Sequence, residues 1–127
     1  MKIRIKDNSI RLRLTRTEVE TMRNAGEVVS HTGFADGRQF RYALESNAAQ
    51  TAPSALFAGD EIRILLPEAT VRDWADTEQV SIADEQHLAD GESLSILVEK
   101  DFACLAPRPG EDESDMFDHP DAGEAQC

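Results

Sequence analysis

Residues 61–74 read EIRILLPEATVRDW, and 52 positions earlier residues 9–22 read SIRLRLTRTEVETM. Laid over each other without a gap, the stretches pair Ile10 with Ile62, Arg11 with Arg63, Leu12 with Ile64, Leu14 with Leu66, Val19 with Val71 and Met22 with Trp74, and the register runs on to Val28 and Val80. Five of those seven pairs are identities. Upstream, Ile3 and Ile5 fall on Ala55 and Phe57. Downstream, a two-residue insertion moves the offset to 54, and DGRQFRYALE (36–45) lies over DGESLSILVE (90–99). The matched positions are mostly those that periodicity sends to a core, so the chain reads as one unit used twice.

Each copy reads alike. KIRIK (2–6) and SIRLRL (9–14) alternate apolar and basic residues at period two around Asp7 and Asn8, the pattern of a hairpin. Thr15 followed by Glu18 is a capping-box signature, Val19 and Met22 share one helical face, and Gly26 is a helix stop. In the second copy Pro67 takes the place of Thr15, where its fixed φ suits the first helical position, and Val71, Trp74 and Ala75 form the apolar stripe. After the helices come EVVSHTGF and RQFRYALE in copy one, QVSIADEQH and SLSILVE in copy two, all strand patterns.

The expected unit is therefore ββαββ, used twice. A unit of about 50 residues buries too little surface to offset its chain entropy, so the copies should share one core. The expectation is an α+β domain with about eight mostly antiparallel strands, two helices and a pseudo-twofold axis. A closed or half-closed barrel is favoured because it removes sheet edges, and two packed sheets are the alternative. The domain spans 1–108, with repeats at about 1–46 and 54–102 and NAAQTAPSA (47–55) as their linker. Residues 109–127 form a flexible acidic tail.

Composition limits the function. The 127 residues are 40% apolar, and the start has no continuous apolar stretch of the kind a signal peptide or membrane span needs, so a cytoplasmic protein with no membrane partner is expected. Net charge is -12, which disfavours general nucleic-acid binding. The first 41 residues are the exception, with nine Lys or Arg against five acids.

That local excess points to a site. The alternation that turns Ile3, Ile5, Ile10, Leu12 and Leu14 inward turns Lys2, Arg4, Lys6, Arg11 and Arg13 to the other face. Arginine forks in such a patch suit carboxylate or phosphate. The same charges also protect an edge strand against aggregation. Glu45 and Glu99, closing matched strands, are the only acid pair the repeat suggests, and facing each other across the axis they would be candidate acid and base.

Within the tail, Asp112, Asp115, Asp118 and His119, with the terminal Cys127, are the candidate metal ligands, although Met116 interrupts a calcium-loop spacing and one His with a distant Cys falls short of a zinc signature. Met116 and Phe117 are expected to anchor the tail, with its acids near the hairpin's arginines. Cys104 reads as a buried thiol. There is no phosphate-binding glycine loop, no nucleophile elbow and no pattern that calls for a cofactor.

MKIRIKDNSIRLRLT (1–15), LVEKDFACLAPR (97–108) and EDESDMF (111–117) together resemble a family of small bacterial proteins known only as a domain of unknown function. The resemblance spans nearly the whole chain, implies a bacterial cytosolic origin and carries over no catalytic residue. Triphosphate tunnel enzymes are a second comparison, as antiparallel barrels with basic, acid-dotted lumens, but their opening strand carries alternating glutamates where this chain reads KIRIK. The function expected from these observations is a non-catalytic module that recognises an anionic small molecule or an acidic protein segment, its own tail included, through the basic hairpin. The alternatives are an enzyme acting on a phosphorylated or anionic small molecule, and a scaffold acting through its acidic tail and Cys127. Oligomeric state is not written in these features.

Overall fold

In the computed structural model, which describes residues 1–102 and 115–117, the apolar positions of SIRLRL do form one buried row: Ile10, Leu12 and Leu14 are 9%, 1% and 0% exposed. They lie on β2 (Ser9–Leu14), which pairs antiparallel with β1 (Lys2–Lys6). The turn between them places Asp7 at φ 48°, a left-handed conformation that Asp tolerates better than most side chains. Helix α1 (Arg16–Ala25) follows. Thr15 caps it, Glu18 completes the capping box and Gly26, at φ 78°, ends it, as the sequence predicts. Strands β3 (Glu27–Gly33) and β4 (Gln39–Asn47) close the first repeat.

The second repeat supplies β5 (Ser54–Ala58), β6 (Glu61–Pro67), α2 (Glu68–Asp76), β7 (Ser81–His87) and β8 (Ser93–Lys100). Pro67 stands at the N-cap of α2 rather than at its first helical residue, and no side chain among the described residues caps that end.

The strands form two four-stranded mixed sheets, ordered β1-β2-β8-β7 and β3-β4-β6-β5. Hairpin partners are antiparallel, whereas the central pairs β2/β8 and β4/β6 are parallel. Each sheet thus takes one hairpin from each repeat. Replacing β1, β2, β3 and β4 by β5, β6, β7 and β8, and the reverse, converts one strand order into the other, which is the pseudo-twofold relation expected from the repeat.

Hydrogen bonds repeat with it. Phe34 N donates to Arg38 O at 2.9 Å and Leu88 N to Glu92 O at 2.8 Å; Arg41 N donates to Asp60 O and Ser95 N to Asn8 O, both at 2.9 Å. Ser46 N to Gly26 O matches Lys100 N to Val80 O. This last pair corrects one part of the sequence register. The two extra residues enter at the end of the helix, so Val28 corresponds to buried Ile82 and not to Val80, and the pairings Val28 with Leu44 and Ile82 with Val98 are equivalent.

No closed barrel forms. At one corner Ala55 N on β5 donates to the side-chain Oε1 of Gln86 on β7 at 2.8 Å, and at the other Tyr42 Oη donates to Met1 O at 2.8 Å. A side-chain amide and a phenol bridge these corners in place of a backbone ladder. The comparison with tunnel enzymes fails here as well as at KIRIK: the basic face of the first hairpin is an outer sheet face and lines no lumen.

One core lies within. It joins Ile10, Leu12 and Leu14 to Ile62, Ile64 and Leu66, to Leu44, Ile96 and Val98, and to Val19, Met22, Val71 and Trp74 of the helices. Trp74 is fully buried, its indole N–H donating to Val80 O at 2.9 Å, so its ring is accommodated with no polar atom stranded. Burying each such side chain contributes about 1.5–3 kcal/mol. Ile5 departs from the expected inward row. It is 54% exposed because the edge strand β1 runs past the end of the core there, and its counterpart Phe57 is 74% exposed.

Candidate anion-binding face

Strand pairing sets the five predicted cations side by side. Lys2 is opposite Arg13, which is opposite Glu99 on β8; Arg4 is opposite Arg11, which is opposite Leu97. Lys6 extends the first column opposite Ser9. All five lie on the outer face, because Leu12 and Leu14, one residue out of phase, are buried.

Glu99 organises the patch. Its Oε1 accepts from Arg11 Nε at 2.6 Å and from Arg13 Nε at 2.7 Å, and its side chain is only 14% exposed. Both guanidinium groups are thereby held through Nε, and among the described residues their Nη nitrogens make no hydrogen bond. Lys2 Nζ lies 3.1 Å from Oδ2 of buried Asp101, in a geometry that forms an ion pair and no hydrogen bond. Arg4 and Lys6 have no ion-pair partner among the described residues. The face keeps a surplus of positive charge on a chain whose net charge is -12.

The equivalent face of the other sheet has the opposite balance. Arg63, the counterpart of Arg11, hydrogen-bonds Glu27, Glu45 and Glu61. The bond to Glu27 above all, and that to Glu61, raise the Arg63 pKa further above the ordinary arginine range, against the opposing effect of burial. The sequence KIRIK is replaced there by SALFA on β5, so no basic column forms. Glu45 and Glu99 do not face each other across the axis. Each lies on the outer face of a different sheet, clasped by an arginine, because Leu44 and Val98 beside them take the inward positions.

A third cluster holds the described part of the tail. Asp115 Oδ1 accepts from Thr17 Oγ1 at 2.8 Å and from Thr17 N at 3.2 Å, and Asp115 O accepts from Arg16 N at 3.0 Å. Bonds from the Thr17 and then the Thr15 side chain hold the Asp115 pKa below its ordinary value. Phe117 meets Phe102 edge-on at 5.7 Å, with Arg16 5.3 Å and Lys100 5.5 Å from its ring centre. Lys100 is 6% exposed and donates to Thr77 O at 2.8 Å; burial pushes its pKa down.

Phe117 is thus packed as the sequence leads one to expect. Asp115, however, goes to the start of α1 and not to the hairpin's arginines. Asp112, Asp118, His119, Cys104 and Cys127 lie outside the described residues, and among the described ones no group of three or more His, Cys, Asp or Glu is placed to hold a metal.

Two contributors to the basic face were not picked out as such from sequence. In the sequence Glu99 reads only as an acid closing a strand, and Asp101 carries no signal. Their roles depend on the parallel pairing of β2 with β8, for which period-two alternation gives no signal.

Among the described residues no helix is long and apolar enough to cross a membrane. Residues 1–121 match the model of a family described as a family of unknown function, DUF7009. No curated protein and no solved structure matches the chain.

Proposed function

We propose, for a chain that belongs to the DUF7009 family of unknown function, that it is a binding module whose basic outer face takes an extended acidic protein segment. One observation carries the reading. Lys2, Arg4 and Lys6 line one column beside Arg11 and Arg13, and the arginines' Nη ends are uncommitted among the described residues.

Side chains on one face of a strand recur about every 6.8 Å, the same interval at which an extended peptide presents alternate carboxylates. An open sheet face of this kind matches such a segment better than it encloses a small molecule. Each exposed ion pair contributes about 0.2–1 kcal/mol, and the contacts weaken with salt.

Fluorescence anisotropy with a labelled peptide of alternating glutamates tests this. Replacing Arg4 and Lys6 together by Ala removes two cations that have no ion-pair partner among the described residues and should weaken binding roughly two- to thirtyfold at low salt. An R4E/K6E variant that binds the peptide as tightly as the native chain would overturn the reading. Tighter binding of tripolyphosphate than of the peptide would point to a small anion instead.

A further inference from the structure

The two halves share strand pairing and turn hydrogen bonds, so each serves as a control for the other, and they also differ at one end of the β3-β4-β6-β5 sheet. There Phe34, between β3 and β4, is 59% exposed, Phe57 on the edge strand β5 is 74% exposed and Leu56 beside it is 51% exposed. Phe34, Phe40 and Phe57 wall a cleft of ≈ 540 Å³ whose rim carries Asp36, Arg38 and Asp60. Arg38 pairs with Asp60 at 2.7 Å. At the equivalent end of the other sheet stand Leu88, Leu94 and Ile5. Arg38 is replaced there by Glu92, and its bond to Asp60 by one from Asn8 Nδ2 to Glu92 Oε2 at 2.9 Å.

We propose that this end of the molecule is a self-association surface whose occupant is a second copy of the chain, joined about a twofold axis. A protruding phenyl ring beside an aromatic cleft is a knob next to a hole, and a twofold contact uses both twice, with Phe57 of each copy entering the cleft of the other. The rim supplies the electrostatic half of the match. It carries both signs, so Arg38 of one copy can meet Asp36 or Asp60 of the other. Two chains of net charge -12 approaching on acidic surfaces repel. At the Leu88 end the equivalent rim positions are Asp90, Glu92 and Asn8, with no cation among the three. Strand β5 itself carries no charge, whereas its counterpart β1 carries Lys2, Arg4 and Lys6, the usual protection of an edge against pairing.

Sedimentation equilibrium over a wide concentration range tests the proposal. The mass should rise from 14.0 kDa towards twice that value as concentration increases. Phe57→Lys should raise the dissociation constant at least about tenfold, as expected for an aromatic anchor. Ile5→Lys, at the equivalent and also exposed position of the other half, should leave it unchanged. Both sites are exposed, and circular dichroism melts should show that both variants remain folded. A native chain that stays at 14.0 kDa throughout overturns the proposal. So does an F57K variant that associates as tightly as the native chain, or an I5K variant that dissociates to the same extent.

Discussion

Glu99 Oε1 takes two arginine Nε–H donors at once, Arg11 and Arg13, while its repeat-equivalent Glu45 shares a single arginine, Arg63, with two other carboxylates. The difference decides what the same substitution does at each place. Glu99→Gln removes the acid held between Arg11 and Arg13 and leaves both without this counter-charge, so it should destabilise the fold by about 1–2 kcal/mol. Glu45→Gln leaves Arg63 with Glu27 and Glu61, and should change stability by less than about 0.5 kcal/mol. On the basic face the two effects separate. Glu99→Gln makes that face more positive and should strengthen acidic-peptide binding severalfold at low salt, and Glu45→Gln, on the other sheet, should leave it unchanged. Urea denaturation and anisotropy on the two variants check both halves, and equal behaviour would show that Glu99 has no special place in the patch.

At the scale of elements, α1 and α2 begin differently although they come from one repeated pattern. Helix α1 has Thr15, Glu18 and the tail residue Asp115 at its N-terminus; α2 has Pro67 and no side-chain cap. A carboxylate at that end of a helix interacts favourably with the partial positive charge of the first N–H groups. Because the folded Asp115 pKa lies below its ordinary 3.8, its contribution is fully present above that value and is lost as pH falls through the lower folded value. The stability gap between the native chain and Asp115→Ala, read from urea midpoints, should therefore be constant near neutral pH and vanish in strong acid; a gap that persisted there would mean that the carboxylate charge is not its source. Phe117→Ala removes the edge contact with Phe102 and the cations over the ring, and should lower stability by about 1–2 kcal/mol at neutral pH. Much at this scale was legible in the sequence. TRTE gave the capping box, Gly26 the stop, SIRLRL the buried row, and Phe117 the anchor of the tail. What stayed hidden was which strand lies beside which. Alternation fixes the face a side chain takes, but it does not distinguish the parallel neighbour β8 from any other strand for β2, so Glu99, Arg11 and Arg13 are each legible and their pairing is not. Ile5 was misplaced for a related reason, since an edge position at the end of a core has the same period as a central one.

Across the whole molecule the pairing pattern has a mechanical consequence. Neither sheet belongs to one repeat: β2 needs β8 and β4 needs β6, and the core draws Leu14 and Met22 from one half and Leu66 and Trp74 from the other. The halves are connected in sequence only through residues 48–53, which no strand or helix includes. The linker makes the meeting of the halves intramolecular, whereas what holds them together is the two central pairs and the core. The barrel expected from sequence would have tied the halves by continuous ladders at every edge; the two open sheets tie them at the central parallel pairs and in the core between. Introducing a specific protease site at residues 48–53 and cutting it should leave two fragments that co-elute and keep the native circular dichroism spectrum. Each fragment purified alone in denaturant and returned to buffer should stay unfolded, since it would expose one side of both central strands and half of a core. Mixing the two should restore the spectrum with second-order kinetics, and the cut protein should melt in a single transition whose midpoint rises with concentration, unlike that of the intact chain under conditions where it is monomeric. A fragment that folded by itself to a cooperative structure would show that each repeat holds its own core, and the shared core described above could not then be what makes the chain fold.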